Sequence, residues 1–262
     1  MNLSLKGKKA IVCGSTQGIG KAIAFELAEL GAEIILVARS EEKLLEVKKE
    51  LDNKTGIKHH YIVADFSFPP ELKIRIEDFI NELGPVHILV NNTGGPAAGN
   101  IENAKTEEFI SAFNHHLICN HILAQACLEG MKSEKYGRII NIISTSVKQP
   151  IPGLGVSNTI RAAVGNWSKT LAGEVGKYNI TVNNVLPGAT GTQRLSAIAE
   201  NRAQKSGKTA EHIMQEFADE IPMKRIAQPE EIAAAVAFLA SPAASYINGI
   251  NLPVDGGRTG NL

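Results

Sequence analysis

Three side chains set the chemical question. Ser144 ends the apolar run Asn141-Ile-Ile-Ser144, and Ser157 and Arg161 follow four residues apart near the start of an amphipathic segment. In a helix that spacing puts both side chains on one face, pointing the same way. Two hydroxyls and a guanidinium at one corner can hold an oxygen atom, and the planar arginine fork suits a carboxylate or phosphate. They supply no ready proton, because a serine hydroxyl is a far weaker acid than a phenol of pKa ~10 and a guanidinium stays charged to above pH ~12. His116 is the candidate donor, its ordinary pKa of ~6.5 suiting transfer near neutrality; a packed helix histidine is the plainer alternative. Plainer readings also exist for Ser157 as a helix N-cap, for Arg161 as half of an ion pair, and for Ser144 as a strand-end serine bonded to backbone.

A second set of residues describes a phosphate cradle. Gly14-Ser15-Thr16-Gln17-Gly18-Ile19-Gly20 follows the first apolar run directly and opens the first helical pattern. Glycines there let the backbone turn tightly and approach a pyrophosphate, which then meets the positive end of the helix. The second strand ends at Ala38-Arg39-Ser40, where an acid would bind a ribose 2′-hydroxyl; Arg39 instead offers charge to a 2′-phosphate. This favours NADP(H), with NAD(H) possible, and the competing reading is a surface arginine beside Glu41 and Glu42.

To position these groups the chain alternates apolar runs with amphipathic segments. Strands are expected at 9–13, 33–37, 60–64, 86–91, 138–144, 181–186 and 250–254, and helices at 19–30, 41–53, 70–83, 106–131, 158–177 and 229–239. The strands are short, rich in Ile and Val and apolar at successive positions, as strands buried on both faces should be. The alternation predicts an α/β doubly wound Rossmann fold in three layers, a seven-stranded parallel sheet with helices on both faces. No linker or repeat interrupts it, so residues 1–262 are expected to form one domain. Residues 190–226 are polar, charged and weakly helical, and read as a mobile lid over the site or as a solvated excursion.

Composition excludes several classes. With 27 Lys plus Arg against 27 Asp plus Glu, nothing marks nucleic acid or an anionic membrane as a partner. No apolar run is long enough to span a bilayer. Three cysteines match no CxxC or zinc spacing, and of His115, His116, Cys119 and His121 only His115 and Cys119 share a helix face, so no metal is expected. A reducing compartment, the cytoplasm, is the expected location.

Together these motifs resemble the short-chain dehydrogenase/reductase family along essentially the whole chain. Cys13-Gly14 to Gly20 is similar to its TGxxxGxG, Asn91-Asn92-Thr93-Gly94 to its NNAG, and Pro187-Gly188 to its PG turn. The resemblance implies that Asp65 and Phe66 flank the adenine, that Thr190 and Thr192 stand near the nicotinamide and pyrophosphate, and that Arg161 bonds the ribose. It also implies a reaction centre of Ser, Tyr, Lys and Asn. Ser144 matches the serine, but Ser157 stands in the tyrosine position and Arg161 in the lysine position. His116 falls at the asparagine, with Asn114 as the alternative register. The implied function is hydride transfer between NADP(H) and a small, possibly anionic, carbonyl or hydroxyl compound at an atypical centre. The rivals are a dinucleotide-binding sensor or inactive oligomer partner without turnover, and a non-redox lyase or epimerase. A homodimer or homotetramer through 106–131 and 158–177 is also implied; Trp167, Leu171 and Val175 form a stripe that could serve it or pack within the chain.

Overall fold

Branched residues at successive strand positions send side chains alternately to opposite sides of one sheet, and each side is covered by helices. The structure, a computed structural model, describes residues 1–261. Its strands are β1 (Lys9–Cys13), β2 (Glu33–Ala38), β3 (His60–Val63), β4 (Ile88–Asn91), β5 (Gly137–Ile142), β6 (Ile180–Pro187) and β7 (Asn251–Val254). All pair in parallel in the order β3-β2-β1-β4-β5-β6-β7. The helices are α1 (Gly18–Glu29), α2 (Glu41–Thr55), α3 (Pro69–Leu83), α4 (Thr106–Phe113), α5 (Cys119–Ser133), α6 (Gly155–Val175), α7 (Gln193–Ser206), α8 (Ala210–Asp219) and α9 (Pro229–Ala240). On β1, Ala10 and Val12 join a core with α1, α2 and α9, whereas Ile11 and Cys13 join one with α3, α5 and α6. The strand order reverses between β1 and β4, and a crevice opens there at the carboxyl ends of the strands.

Asparagines knit four strands together beneath that crevice. Asn91, Asn141, Asn184 and Asn251 stand in register across β4, β5, β6 and β7. Asn91 donates to Asn141 at 2.8 Å, Asn141 to Asn184 at 3.0 Å, and Asn184 to Asn251 at 2.8 Å. Asn141 also donates to the Ser168 hydroxyl at 2.9 Å, tying the row to α6.

Several expected boundaries move. The single helix expected over 106–131 is two helices joined by a π-helical turn, Asn114–Ile118. β5 stops at Ile142, so Ser144 does not close the strand; it caps a 3₁₀ turn, Thr145–Val147, by accepting from the Ser146 amide. α6 begins at Gly155, so Ser157 lies inside its first turn and is not the cap. That start is set by the loop before it: Gly155 N–H donates to the Gly99 carbonyl, and Asn158 exchanges hydrogen bonds with the backbone of Ile151. Residues 190–226 are more helical than their polarity suggests. They form α7 and α8, which share a small core of Ala199, Ala203 and Ile213. In the stripe on α6, Val175 is buried in the second core and Trp167 and Leu171 pack against it. Among the described residues no helix is long and apolar enough to cross a membrane.

Candidate active site

The crevice is a cleft of about 1340 Å³, and it is bounded by the residues the glycine motif pointed to. Gly14, Thr16, Gln17, Gly18, Ile19, Gly20, Arg39, Ser40, Asp65, Phe66, Asn92, Thr93, Gly94 and Thr192 all line it. Its turn has no room for side chains. A Cβ on Gly20 would stand 2.1 Å from the Gly14 carbonyl oxygen, and one on Gly14 would stand 2.7 Å from the Asn92 oxygen. The Asn92 amide closes the turn from behind by donating to the Cys13 carbonyl at 3.2 Å. Gln17 precedes α1 without a side-chain cap, which leaves the helix's first N–H groups for an anion. Thr192 closes the turn from the front; its methyl would be 3.1 Å from a Cβ at Gly18. This cradle fits a dinucleotide diphosphate.

The far end of the cleft is polar. Asp65 accepts from the Ser67 amide at 2.8 Å. Partial burial opposes its charge, but the Ser67 hydrogen bonds and the nearby Arg39 and His115 hold its carboxyl below the usual range. Arg39 is exposed and makes no ion pair with Glu41, Glu42 or any other described residue. Lys43, one turn into α2, lines the cleft beside it. His115 lines it too, Nδ1 donating to the Ser111 carbonyl at 2.7 Å and Nε2 pairing with the Ser67 hydroxyl at 3.1 Å.

Other expected cofactor contacts lie away from the cleft walls. The Ser15 side chain is fully buried, with no partner for its hydroxyl among the described residues. Asn91 spends its amide on Asn141 and belongs to the asparagine row. Pro187 ends β6, Gly188 donates to the Val254 carbonyl, and Thr190 is buried with its hydroxyl on the Gly188 carbonyl.

Arg161 is tied to the end of β5 and His116 to the chain just after β4, Ser144 follows β5 and Ser157 lies in the first turn of α6; none of the four lines the cleft. Arg161 is 8% exposed, and Nη1 donates to the Ile142 carbonyl at 2.9 Å. Its Nε has no partner. Burial, with the charge of Arg194, pushes its pKa down to about 10, so it remains a cation at neutral pH. The Ser157 hydroxyl is without a hydrogen bond to any described residue. The π turn aims His116 inward, where Nδ1 meets the Thr93 hydroxyl at 2.7 Å; Thr93 in turn lines the cleft.

That burial opposes the proton-donor reading of His116 and fits the plainer one, a packed helix histidine. Burial first, and then the charges of Arg161, His115 and Arg194, push the His116 pKa down to about 2. The ring is neutral throughout the working range. The sign of the linked pH effect follows. Unfolded, the imidazole binds a proton below about pH 6.5 that the folded site refuses, so stability falls as pH falls from that value. At pH 5 the loss is about 2 kcal/mol relative to pH 8. Burial holds His59 and His87 down as well, so acid sensitivity is shared. His116→Asn should therefore lose about 2 kcal/mol less than wild type between pH 8 and pH 5 in urea unfolding; equal losses in the two proteins would rule this account out.

Nothing in the sequence flagged Arg194. It lies at the start of α7, lines the inner end of the cleft, and reaches the loop after β4, where Nη1 donates to the Gly95 carbonyl at 2.8 Å and Nη2 to the Pro96 carbonyl at 3.2 Å. Gly95 permits that approach, since a Cβ there would stand 2.6 Å from Nη2. Among the described residues no cluster of metal ligands occurs. Cys119 bonds the Phe66 carbonyl and His121 meets the Trp167 ring edge-on.

Comparison with known proteins agrees with this geometry. A family model described as enoyl-(acyl carrier protein) reductase matches residues 14–259. The chain is 32% identical to the NADPH-dependent reductase BacG of Bacillus subtilis, over 95% of this chain and 97% of that one. It is 36% identical to the 3-oxoacyl-[acyl-carrier-protein] reductase FabG of Pseudomonas aeruginosa, over 97% and 98%. Among solved structures, L-sorbose reductase from Gluconobacter frateurii, complexed with NADPH and L-sorbose, superimposes with a TM-score of 0.94 at 35% identity over the whole of both chains. The parallel sheet, the glycine cradle at its switch point and these relatives place the chain in the short-chain dehydrogenase/reductase family of NAD(P)-dependent oxidoreductases.

Proposed function

We propose that the protein transfers hydride between NADP(H) and a small carbonyl or hydroxyl compound at a centre that has no side-chain acid. The observation that carries this is a complete dinucleotide cleft beside a corner whose polar groups can hold an oxygen yet cannot protonate it. Bound in the cleft, the cofactor supplies a hydride donor or acceptor; all else falls to the protein. Gly14 to Gly20 and Thr192 hold the diphosphate. Arg39 and Lys43 receive the 2′-phosphate, a preference supported by two relatives that use or bind NADPH. Ser144 and Ser157 hold the substrate oxygen, and Arg161 stabilises negative charge that grows on it. With His116 neutral, water brings the proton. Residues 190–226 serve as the lid, Arg194 clasping the loop after β4.

The test pairs binding with turnover. Purified protein should bind NADPH more tightly than NADH, and Arg39→Ala should weaken NADPH by about tenfold while sparing NADH, the loss expected for one charge-assisted phosphate contact. With NADPH, a panel of small carbonyl compounds should include substrates turned over above background. Tight NADPH binding with background rates across the panel would refute the oxidoreductase reading and favour a dinucleotide sensor, for which the neutral His116 is the supporting observation.

A further inference from the structure

The corner contains more positive charge than its own groups can neutralise. Arg161 is buried without a carboxylate partner among the described residues, and only Nη1 has an acceptor there, a backbone carbonyl. Arg194 forms no ion pair with a described residue either; it also is held only by carbonyls, on Gly95 and Pro96. A buried charge such as that of Arg161 is costly unless paired and hydrogen-bonded, whereas Arg194 is open to water. Burial lowers the pKa of both guanidiniums, and the charge of Arg194 lowers that of Arg161 further. Arg161 hangs from the end of β5 and Arg194 from the loop after the adjacent β4, so an anion held between them would offset both charges.

We propose that Arg161 and Arg194 form the recognition site for a carboxylate carried by the substrate, which makes the substrates small oxo or hydroxy acids. This rests on the oxidoreductase reading above and narrows it. The Ser157 hydroxyl, unpartnered and one turn before Arg161 on the same face of α6, adds a donor to the same anion. The only other anion the site would receive is the cofactor's diphosphate. That group already has the glycine turn and the open N-terminus of α1, and Arg161 hangs from the end of β5 outside the cleft walls. Arg194 stands where the two sources meet, so the experiment must separate them.

Oxamate, an unreactive mimic of a 2-oxo acid, and its neutral methyl ester are titrated calorimetrically into the protein with and without NADPH. Oxamate should bind the wild type at least about tenfold tighter than the ester, the contribution of one bidentate charged pair. Arg161→Met and Arg194→Met should each erase that preference, and Arg161→Lys should restore part of it. NADPH affinity of Arg194→Met is read in the same titrations, because Arg194 lines the cofactor cleft. The proposal is overturned if wild type does not distinguish acid from ester, or if the preference survives in both methionine variants. It is also overturned if Arg194→Met loses NADPH affinity while keeping the preference, which would assign Arg194 to the diphosphate. Arg194 is exposed and its variant should fold, so the test does not depend on the buried Arg161. Failure of NADPH to bind wild type would defeat the oxidoreductase reading alone, because the oxamate arm is read equally on the cofactor-free protein.

Discussion

Replacing Ser157 by tyrosine and Arg161 by lysine together is expected to raise kcat for a neutral ketone by about 10²- to 10⁴-fold, the usual worth of a positioned general acid. On the proposed function, Ser144 and Ser157 hold the substrate oxygen but nothing at the corner protonates it, since burial keeps His116 neutral and the Arg161 guanidinium keeps its protons. A phenol beside an ammonium has a pKa that can fall into the working range; a serine hydroxyl does not. The pH profiles should separate the two proteins. Native kcat should be flat from about pH 6 to 9, because no group at the corner titrates there, whereas reduction by the double variant should decline as its phenol ionises. For a carboxylated substrate the order should reverse, because lysine lacks the planar fork that pairs with a carboxylate. NADPH affinity, which the proposed function assigns to the glycine turn and Arg39 in the cleft, should hold within about threefold. A native enzyme that outpaces a folded, NADPH-binding double variant on neutral ketones would show that the serine and arginine constitute a mechanism in their own right.

The platform was readable because its signals are local. Strands buried on both faces announce themselves as Ile and Val runs, and a glycine turn between strand and helix has few other uses. What escaped the sequence depends on distant partners. The 3.6-residue period runs through 106–131 without interruption, and nothing in it marks the π turn at Asn114–Ile118 that points His116 at Thr93. The start of α6 is set by Gly99, far back in the chain, so Ser157 could pass for a cap. Arg194 contacts a carbonyl 99 positions earlier, a reach that no local pattern encodes. The helices α7 and α8 were hidden by thin apolar faces, since Ala199, Ala203 and Ile213 make a small core within a polar segment. Ser157, Arg161 and His116 were legible as residue types, but their electrostatics were not: that His116 is neutral follows first from burial and then from the charges of Arg161 and Arg194, which only the fold brings near it.

Asn141→Ala is expected to destabilise the protein by about 3–5 kcal/mol, more than any surface change should. Asn141 is fully buried at the centre of the asparagine row. It accepts from Asn91 and donates to Asn184 and Ser168, so its loss breaks three hydrogen bonds at once. The partners left behind are buried too. Asn91 is 2% exposed, its Oδ1 is already without a partner, and its amide has no other acceptor among the described residues. Each orphaned buried group costs about 1–3 kcal/mol, which exceeds the net worth of the bond itself. Ser168 loses least, because its single hydroxyl proton keeps an acceptor, the Val164 carbonyl or Asn184 Oδ1. Asn251→Ala is the built-in comparison: it sits at the partly exposed end of the row, where water can replace one lost bond, and should cost about 1 kcal/mol. Because the row is a network, Asn141→Ala and Asn184→Ala combined should cost less than the sum of the two singles, the second change removing a group that the first had already orphaned. Urea unfolding of the four variants decides the matter. Equal small losses at Asn141 and Asn251, or strict additivity across Asn141 and Asn184, would mean that the four side chains are neighbours in register without acting as one unit.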